Sequence, residues 1–126
     1  MRGIKKDLVA RIKHLIIQMI HDYEIHPITN YSYYLGQKLK YDYTYLANIF
    51  SQEANSTIEQ YIIYQKILLV KKLLANDKHT LTEIAARLHY SSVAHLANQF
   101  KKVEGITSSE YKRQIKSKLT MANKPA

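Results

Sequence analysis

A chain of 126 residues with 46% hydrophobic and 23% charged side chains is one domain's worth of protein, or two very small lobes, and has enough apolar material to fold. It is neither a disordered tail nor a large two-domain enzyme. Three glycines and two prolines argue against a turn-rich all-β protein and a glycine-rich phosphate cradle, and the lack of cysteine removes disulfides, thiolate zinc sites and a cysteine nucleophile. Nineteen Lys and Arg against ten Asp and Glu leave a formal charge of +9, which points to a partner carrying phosphates or anionic lipid.

Residues 1–27 form the first segment. Ile4, Leu8, Ile12, Leu15, Ile16, Met19 and Ile20 recur at helical spacing with Lys5, Lys6, Arg11 and Lys13 between them, which predicts an amphipathic helix that His26-Pro27 ends. Arg2, Lys5 and Lys6 are followed by charged residues and not by an unbroken apolar stretch, so no secretory leader is expected. The longest aliphatic run, Ile67 to Val70, is far short of the roughly 20 residues that span a bilayer. A soluble, cytoplasmic protein with no membrane partner is expected.

Residues 28–57 read as two short helices, the first capped by Asn30 over Tyr31 to Leu39, the second capped by Asp42 and stopping near Asn55. Residues 58–76 form the longest helix, opened by a capping box of Ser56 with Glu59 or of Thr57 with Gln60. From Ile58 to Ala75 that helix spans about 27 Å. Residues 77–113 repeat the short-helix pattern: Thr80 with Glu83 opens a helix ending at Leu88, Ser92 to Glu104 forms the next, Gly105 closes it in the left-handed region, and Thr107 with Glu110 opens a last short helix. The basic tail, residues 114–126, is expected to fray.

The two halves share a template. Leu46-Ala47-Asn48 matches Leu96-Ala97-Asn98, and Phe50, Thr57 and Tyr61 match Phe100, Thr107 and Tyr111, all 50 residues on. Upstream the offset is 49, pairing Leu35, Gly36, Leu39 and Tyr41 with Ile84, Ala85, Leu88 and Tyr90. Two helices joined by a three- or four-residue turn, with a small residue (Gly36, Ala85) where they approach, form a helix-turn-helix, and here it occurs twice. The expected fold is all-α: two helix-turn-helix subdomains joined by a long central helix, with an additional N-terminal amphipathic helix.

The stretch from Tyr31 to Arg113 resembles the DNA-binding domain of AraC/XylS-type transcription regulators. The resemblance rests above all on Thr82-Glu83-Ile84-Ala85, Tyr90-Ser91-Ser92, Leu96, Phe100-Lys101-Lys102, Gly105, Thr107 and Tyr111, and in the first half on Tyr43-Thr44-Tyr45-Leu46, Phe50 and Glu59-Gln60-Tyr61-Ile62. Ser108 stands where the family usually has proline, His89 and Asn55 where it has glycine, and Lys66 and Val70 where it has arginine and alanine. Leu68 and Leu69 occupy places where charged residues are ordinary. The resemblance implies a bacterial regulator that acts on a double-stranded DNA operator, with RNA polymerase as a further partner. The chain leaves no room for a separate effector-binding domain, so it reads as a fragment or as a constitutive regulator.

In a helix-turn-helix the N-terminal half of the second helix enters the major groove. The residues expected at base edges are therefore Tyr43, Thr44, Ala47 and Asn48 in the first half and Ser92, Ala94, His95, Ala97 and Asn98 in the second. Asn48 and Asn98 suit adenine N6 and N7, while the alanines and the Thr44 methyl suit thymine methyls. Neither window holds Arg or Lys, so the directly read positions lean toward A·T. Phosphate contacts are expected from Lys38, Lys40, Ser91, Lys101, Lys102, Thr107, Lys112 and Arg113.

Other classes find less in the sequence. The six histidines lack metal-ligand spacing, and no Ser-His-Asp or paired-carboxylate arrangement emerges, so no cofactor, metal or catalytic role is expected. Tyr41, Tyr90, Tyr61 and Tyr111 read as scaffold residues at equivalent positions. The N-terminal helix has two favoured readings, packing on the first helix-turn-helix or pairing with its copy in a homodimer. The alternative to DNA binding is a helical protein-interaction module whose basic face binds an acidic partner.

Overall fold

Side chains just ahead of each helix fix where it begins. In the computed structural model, which describes residues 2–22 and 30–122, seven helices follow one another: α1 (Arg2–His21), α2 (Tyr31–Leu39), α3 (Tyr43–Ala54), α4 (Ile58–Asn76), α5 (Leu81–Arg87), α6 (Val93–Glu104) and α7 (Ser108–Ala122). There is no strand among the described residues. Asn30 accepts the Tyr33 N–H, Asp42 the Thr44 N–H and Ser92 the His95 N–H. The capping box of α4 is Thr57 with Gln60, each bond 3.0 Å, and that of α5 is Thr80 with Glu83. Left-handed residues end the helices: Lys40 ends α2, Asn55 ends α3 and Gly105 ends α6. Asparagine tolerates this conformation better than other side chains, which explains why Asn55 serves where the resembling family has glycine.

The chain divides into two compact units, Met1–Lys66 and Ile67–Ala126, with the boundary inside α4. In the first, α1 packs on α3 and on α2 and buries Leu8, Val9, Ile12, Ile16, Met19 and Ile20. The core continues through Leu35 and Leu39 of α2, Leu46, Ile49 and Phe50 of α3, and Ile58 and Ile62 of α4. The Phe50 ring meets Tyr61 at 5.5 Å, and Lys13 Nζ lies 5.6 Å over Tyr61. α1 is thus a packed member of the unit, as the first of the two expected readings has it.

In the second unit, α6 packs on α5 and α7. Ile67, Val70, Leu73 and Leu74 of α4 are buried, as are Ile84, Ala85, Leu88, Leu96 and Phe100. Phe100 meets Tyr111 at 5.7 Å, with Lys71 Nζ 5.4 Å over Tyr111. The phenylalanine, tyrosine and lysine arrangement of the first unit therefore recurs, with Lys71 of α4 over Tyr111 as Lys13 of α1 is over Tyr61. Leu69 is buried and Leu68 is 37% exposed.

The turns follow from small residues. A Cβ on Gly36 would lie 3.2 Å from the Tyr41 carbonyl, so glycine permits the close approach of α2 and α3. At the matching place Ala85 accepts the Tyr90 N–H at 2.9 Å on its carbonyl. Ser108 is buried at the first position of α7, where proline is favoured because its missing N–H costs nothing.

Two features differ from expectation, and one falls partly outside the described residues. α7 runs through Ala122 where a short helix and a fraying tail from 114 were expected, because Lys116, Lys118, Leu119, Met121 and Ala122 are all good helix formers. α1 ends at His21, and the His26-Pro27 stop lies outside the described residues, as do residues 123–126. Tyr41, expected on the scaffold like Tyr90, is 42% exposed while Tyr90 is 8% exposed. Tyr90 donates its hydroxyl to Gln99 Oε1 at 2.7 Å. The residue matching Gln99 is Ile49, which offers no acceptor, so Tyr41 turns outward. No helix among the described residues is long and apolar enough to cross a membrane.

Candidate nucleic-acid interface

The helical period sorts the second helix of each helix-turn-helix into two faces. In α3, Leu46, Ile49 and Phe50 are buried while Thr44, Tyr45, Asn48, Ser51 and Gln52 are exposed. In α6, Leu96 and Phe100 are buried while Ala94, His95, Asn98, Lys101 and Lys102 are exposed. The two exposed sets correspond position for position at the offset of 50. Ala47 and Ala97 are half-buried at the edge of each face. Thr44, Ala47 and Asn48 are thus brought together on one face, and Ala94, His95, Ala97 and Asn98 on the other.

Tyr43 stands apart from that face. It is half-buried and donates its hydroxyl to Glu59 Oε1 at 2.8 Å. Tyr31 donates to the same oxygen at 3.0 Å, and the two tyrosine rings meet edge to face at 6.1 Å. Burial raises both phenols, and the Glu59 carboxylate raises them further. Partial burial pushes the Glu59 carboxyl up, but its own backbone N–H and the hydroxyls of Tyr43, Tyr31 and Thr57 outweigh that and hold it below the ordinary carboxylate range. One carboxylate thereby ties together the starts of α2, α3 and α4.

The matching start of α6 is held differently. The Ser92 Oγ caps the helix by accepting the His95 N–H at 3.0 Å. The His95 ring lies edge-on to Tyr90 at 5.2 Å, with Nδ1 3.1 Å from the Ser91 hydroxyl. Burial raises the Tyr90 phenol well above its usual value.

The cations fall into groups. Lys101 and Lys102 are exposed in the last turn of α6. Arg113 is exposed on α7, and Lys40 is exposed in the turn after α2 with a left-handed backbone. Lys38 is exposed with Nζ 5.9 Å over the Tyr34 ring. Lys112 is engaged within the unit, 3.1 Å from Asp77, and this hydrogen bond and charge, helped by Lys116, hold the Asp77 carboxyl low. Thr107 Oγ1 accepts the Glu110 N–H at 3.1 Å, so it serves as a cap at the start of α7. Among the described residues no group of three or more His, Asp or Glu is placed to hold a metal.

A family model described as a helix-turn-helix domain matches residues 35–114, the stretch that carries both exposed faces. The chain belongs to the AraC-type helix-turn-helix regulators. These are DNA-binding transcription regulators and not enzymes. The chain is 30% identical over 83 residues to an uncharacterized HTH-type transcriptional regulator of Bacillus subtilis, YtdP, covering 66% of the chain and 11% of that protein. It is 29% identical over 114 residues to the uncharacterized HTH-type transcriptional regulator YdiP of Escherichia coli, covering 90% of the chain and 36% of that protein. The chain therefore spans between about a tenth and a third of the curated relatives it matches. The solved C-terminal domain of AraT, a response regulator from Geobacillus stearothermophilus, superposes with a TM-score of 0.72 at 20% identity, over 85% of this chain and 84% of that one, and so shares the fold.

Within this AraC-type domain two exposed residues escaped the sequence reading. Tyr45 is 47% exposed on the α3 face, and Tyr41 stacks on it with ring centroids 5.3 Å apart and planes 26° from parallel. The signal was present in the spacing, since Tyr45 sits beside Thr44 on the outward arc of α3 and matches His95.

Proposed function

We propose that the chain regulates transcription in the bacterial cytoplasm by binding a double-stranded operator, with α3 and α6 entering successive major grooves. The observation that carries this reading is the position-for-position repeat of the two exposed faces. α4, 19 residues long, extends about 28 Å as one helix, and successive grooves on one side of B-DNA lie about 34 Å apart. Asn48 and Asn98 hydrogen-bond adenine edges, and Thr44, Ala47, Ala94 and Ala97 contact thymine methyls, with His95 at the edge of the second set. Lys40, Lys101, Lys102 and Arg113 neutralise phosphates and set the register, and Lys38 and Ser91 add contacts at the rims. Recruitment of RNA polymerase fits the same reading. A homodimer through α1 draws little support, because Leu8, Val9, Ile12, Ile16, Met19 and Ile20 are buried within its own unit, Leu15 and Ile17 are half-buried and Ile4 is 60% exposed.

Selection from random duplexes, followed by a salt titration on the winning sequence and a scrambled one, tests this reading. The expected result is a preferred A·T-leaning duplex whose log affinity falls linearly with log salt. Equal binding to duplex, single strands and heparin would instead favour a basic module for acidic partners.

A further inference from the structure

The two exposed faces match in position but not in chemistry. At the start of α6 the face carries His95, engaged with the Ser91 hydroxyl and the Tyr90 edge, and its last turn carries Lys101 and Lys102. The α3 face has Tyr45 in the first place and Ser51 and Gln52 in the second. Charge follows the same division. Residues 1–66 hold eight Lys and Arg against six Asp and Glu, and residues 67–126 hold eleven against four. The first unit must therefore gain more of its binding from contact and less from neutralised phosphate.

Tyr45 is the exposed group on α3 with the area to supply that contact. Tyr41 covers one face of its ring, at 5.3 Å, which restricts the side chain before any partner arrives. Tyr45 remains 47% exposed, on the same helix face as the exposed Thr44 and Asn48. A tyrosine so held presents a large apolar surface at small entropic cost and keeps a hydroxyl at its tip for water or phosphate. In the major groove the apolar group on a base edge is the C5-methyl of thymine. We infer that Tyr45, braced by Tyr41, is a further specificity-determining residue that packs on thymine methyls in the groove entered by α3. This rests on the reading of α3 as a recognition helix. The half-site under α3 is accordingly richer in contacted thymines than the half-site under α6, and the two halves of the operator differ.

The test replaces thymines of the selected duplex one at a time by deoxyuridine, which removes the methyl and leaves the hydrogen-bonding pattern intact. The 126-residue wild type, Tyr45→Ala and Tyr41→Ala are titrated by fluorescence anisotropy, with circular dichroism confirming unchanged helix content in these exposed-site variants. Deoxyuridine at one or two positions of the α3 half weakens wild type about fourfold, the worth of one buried methyl-sized group. It leaves Tyr45→Ala unaffected and has a reduced effect on Tyr41→Ala. An equal deoxyuridine penalty in wild type and Tyr45→Ala at every position of the α3 half that shows one, or no penalty anywhere in that half while the selected duplex is still preferred, overturns the inference alone. Selection that yields no preferred duplex overturns the reading beneath it as well.

Discussion

Replacing Lys101 and Lys102 together by alanine removes two exposed charges from the end of α6 that form no ion pair among the described residues. Neither side chain is buried, so the fold loses little. Each neutralised phosphate contributes a slope of about 0.9 to the fall of log affinity with log salt. Between 1 M and 0.1 M salt that is about 0.9 of a decade, or roughly eightfold per lysine. The double variant is therefore expected to bind about 60-fold more weakly at 0.1 M salt, with a slope shallower by about 1.8, and to converge on wild type near 1 M. The loss is the same on preferred and scrambled duplexes, because phosphates carry no sequence. The matching positions of α3 are Ser51 and Gln52, so lysine at both is expected to steepen the slope by a similar step. Anisotropy titrations over a series of salt concentrations measure each quantity. An unchanged slope, or a loss confined to the preferred duplex, would refute the assignment of these lysines to phosphate.

The remaining predictions separate holding from reading. Glu59→Gln removes the charge that binds Tyr31 and Tyr43 and should cost about 1 kcal/mol, a modest value because Glu59 is exposed. The folded-state pKa of Glu59 lies below its ordinary 4.5, so its contribution is present above that value and lost as pH falls through the folded one. Wild type should thus lose more stability than Glu59→Gln on acidification, in urea melts followed by circular dichroism since the chain has no tryptophan. Leu96→Ala empties a fully buried site and should cost about 2–5 kcal/mol of stability. Asn98→Ala should leave stability within about 0.5 kcal/mol yet cost about 1–3 kcal/mol on the preferred duplex alone. Asp77→Asn releases Lys112 from its 3.1 Å ion pair and should strengthen binding to any duplex with a steeper salt slope.

Much of the fold was legible because local chemistry and global pattern agree. Asn30, Asp42 and Thr80 cap helices where their spacing says they should, and the offset of 50 places Phe50 and Phe100 in matching cores. The ambiguity between two capping boxes at α4 was resolved for Thr57 and Gln60, since Glu59 is engaged by two tyrosines whose approach depends on tertiary packing. Tyr43 lies three residues before Leu46 and seven before Phe50, so the helical period already places it toward the core side and not among the outward residues; tertiary packing adds its Glu59 partner. Tyr41 was misplaced because an internal repeat transfers position and not partners, and Gln99 has an isoleucine as its counterpart. The end of α7 was hidden because a lysine-rich segment satisfies both a helix and a solvated tail. The role of α1 lay in its apolar stripe, which says that the stripe is buried but not against what.

Spacing within the operator tests the central claim most directly. Five base pairs inserted between the two halves of the selected duplex turn one half by about half a helical turn. If α3 and α6 engage both grooves from one side, binding falls to that of a duplex carrying a single half-site. Undiminished affinity for the lengthened operator would contradict simultaneous reading of two grooves by one chain.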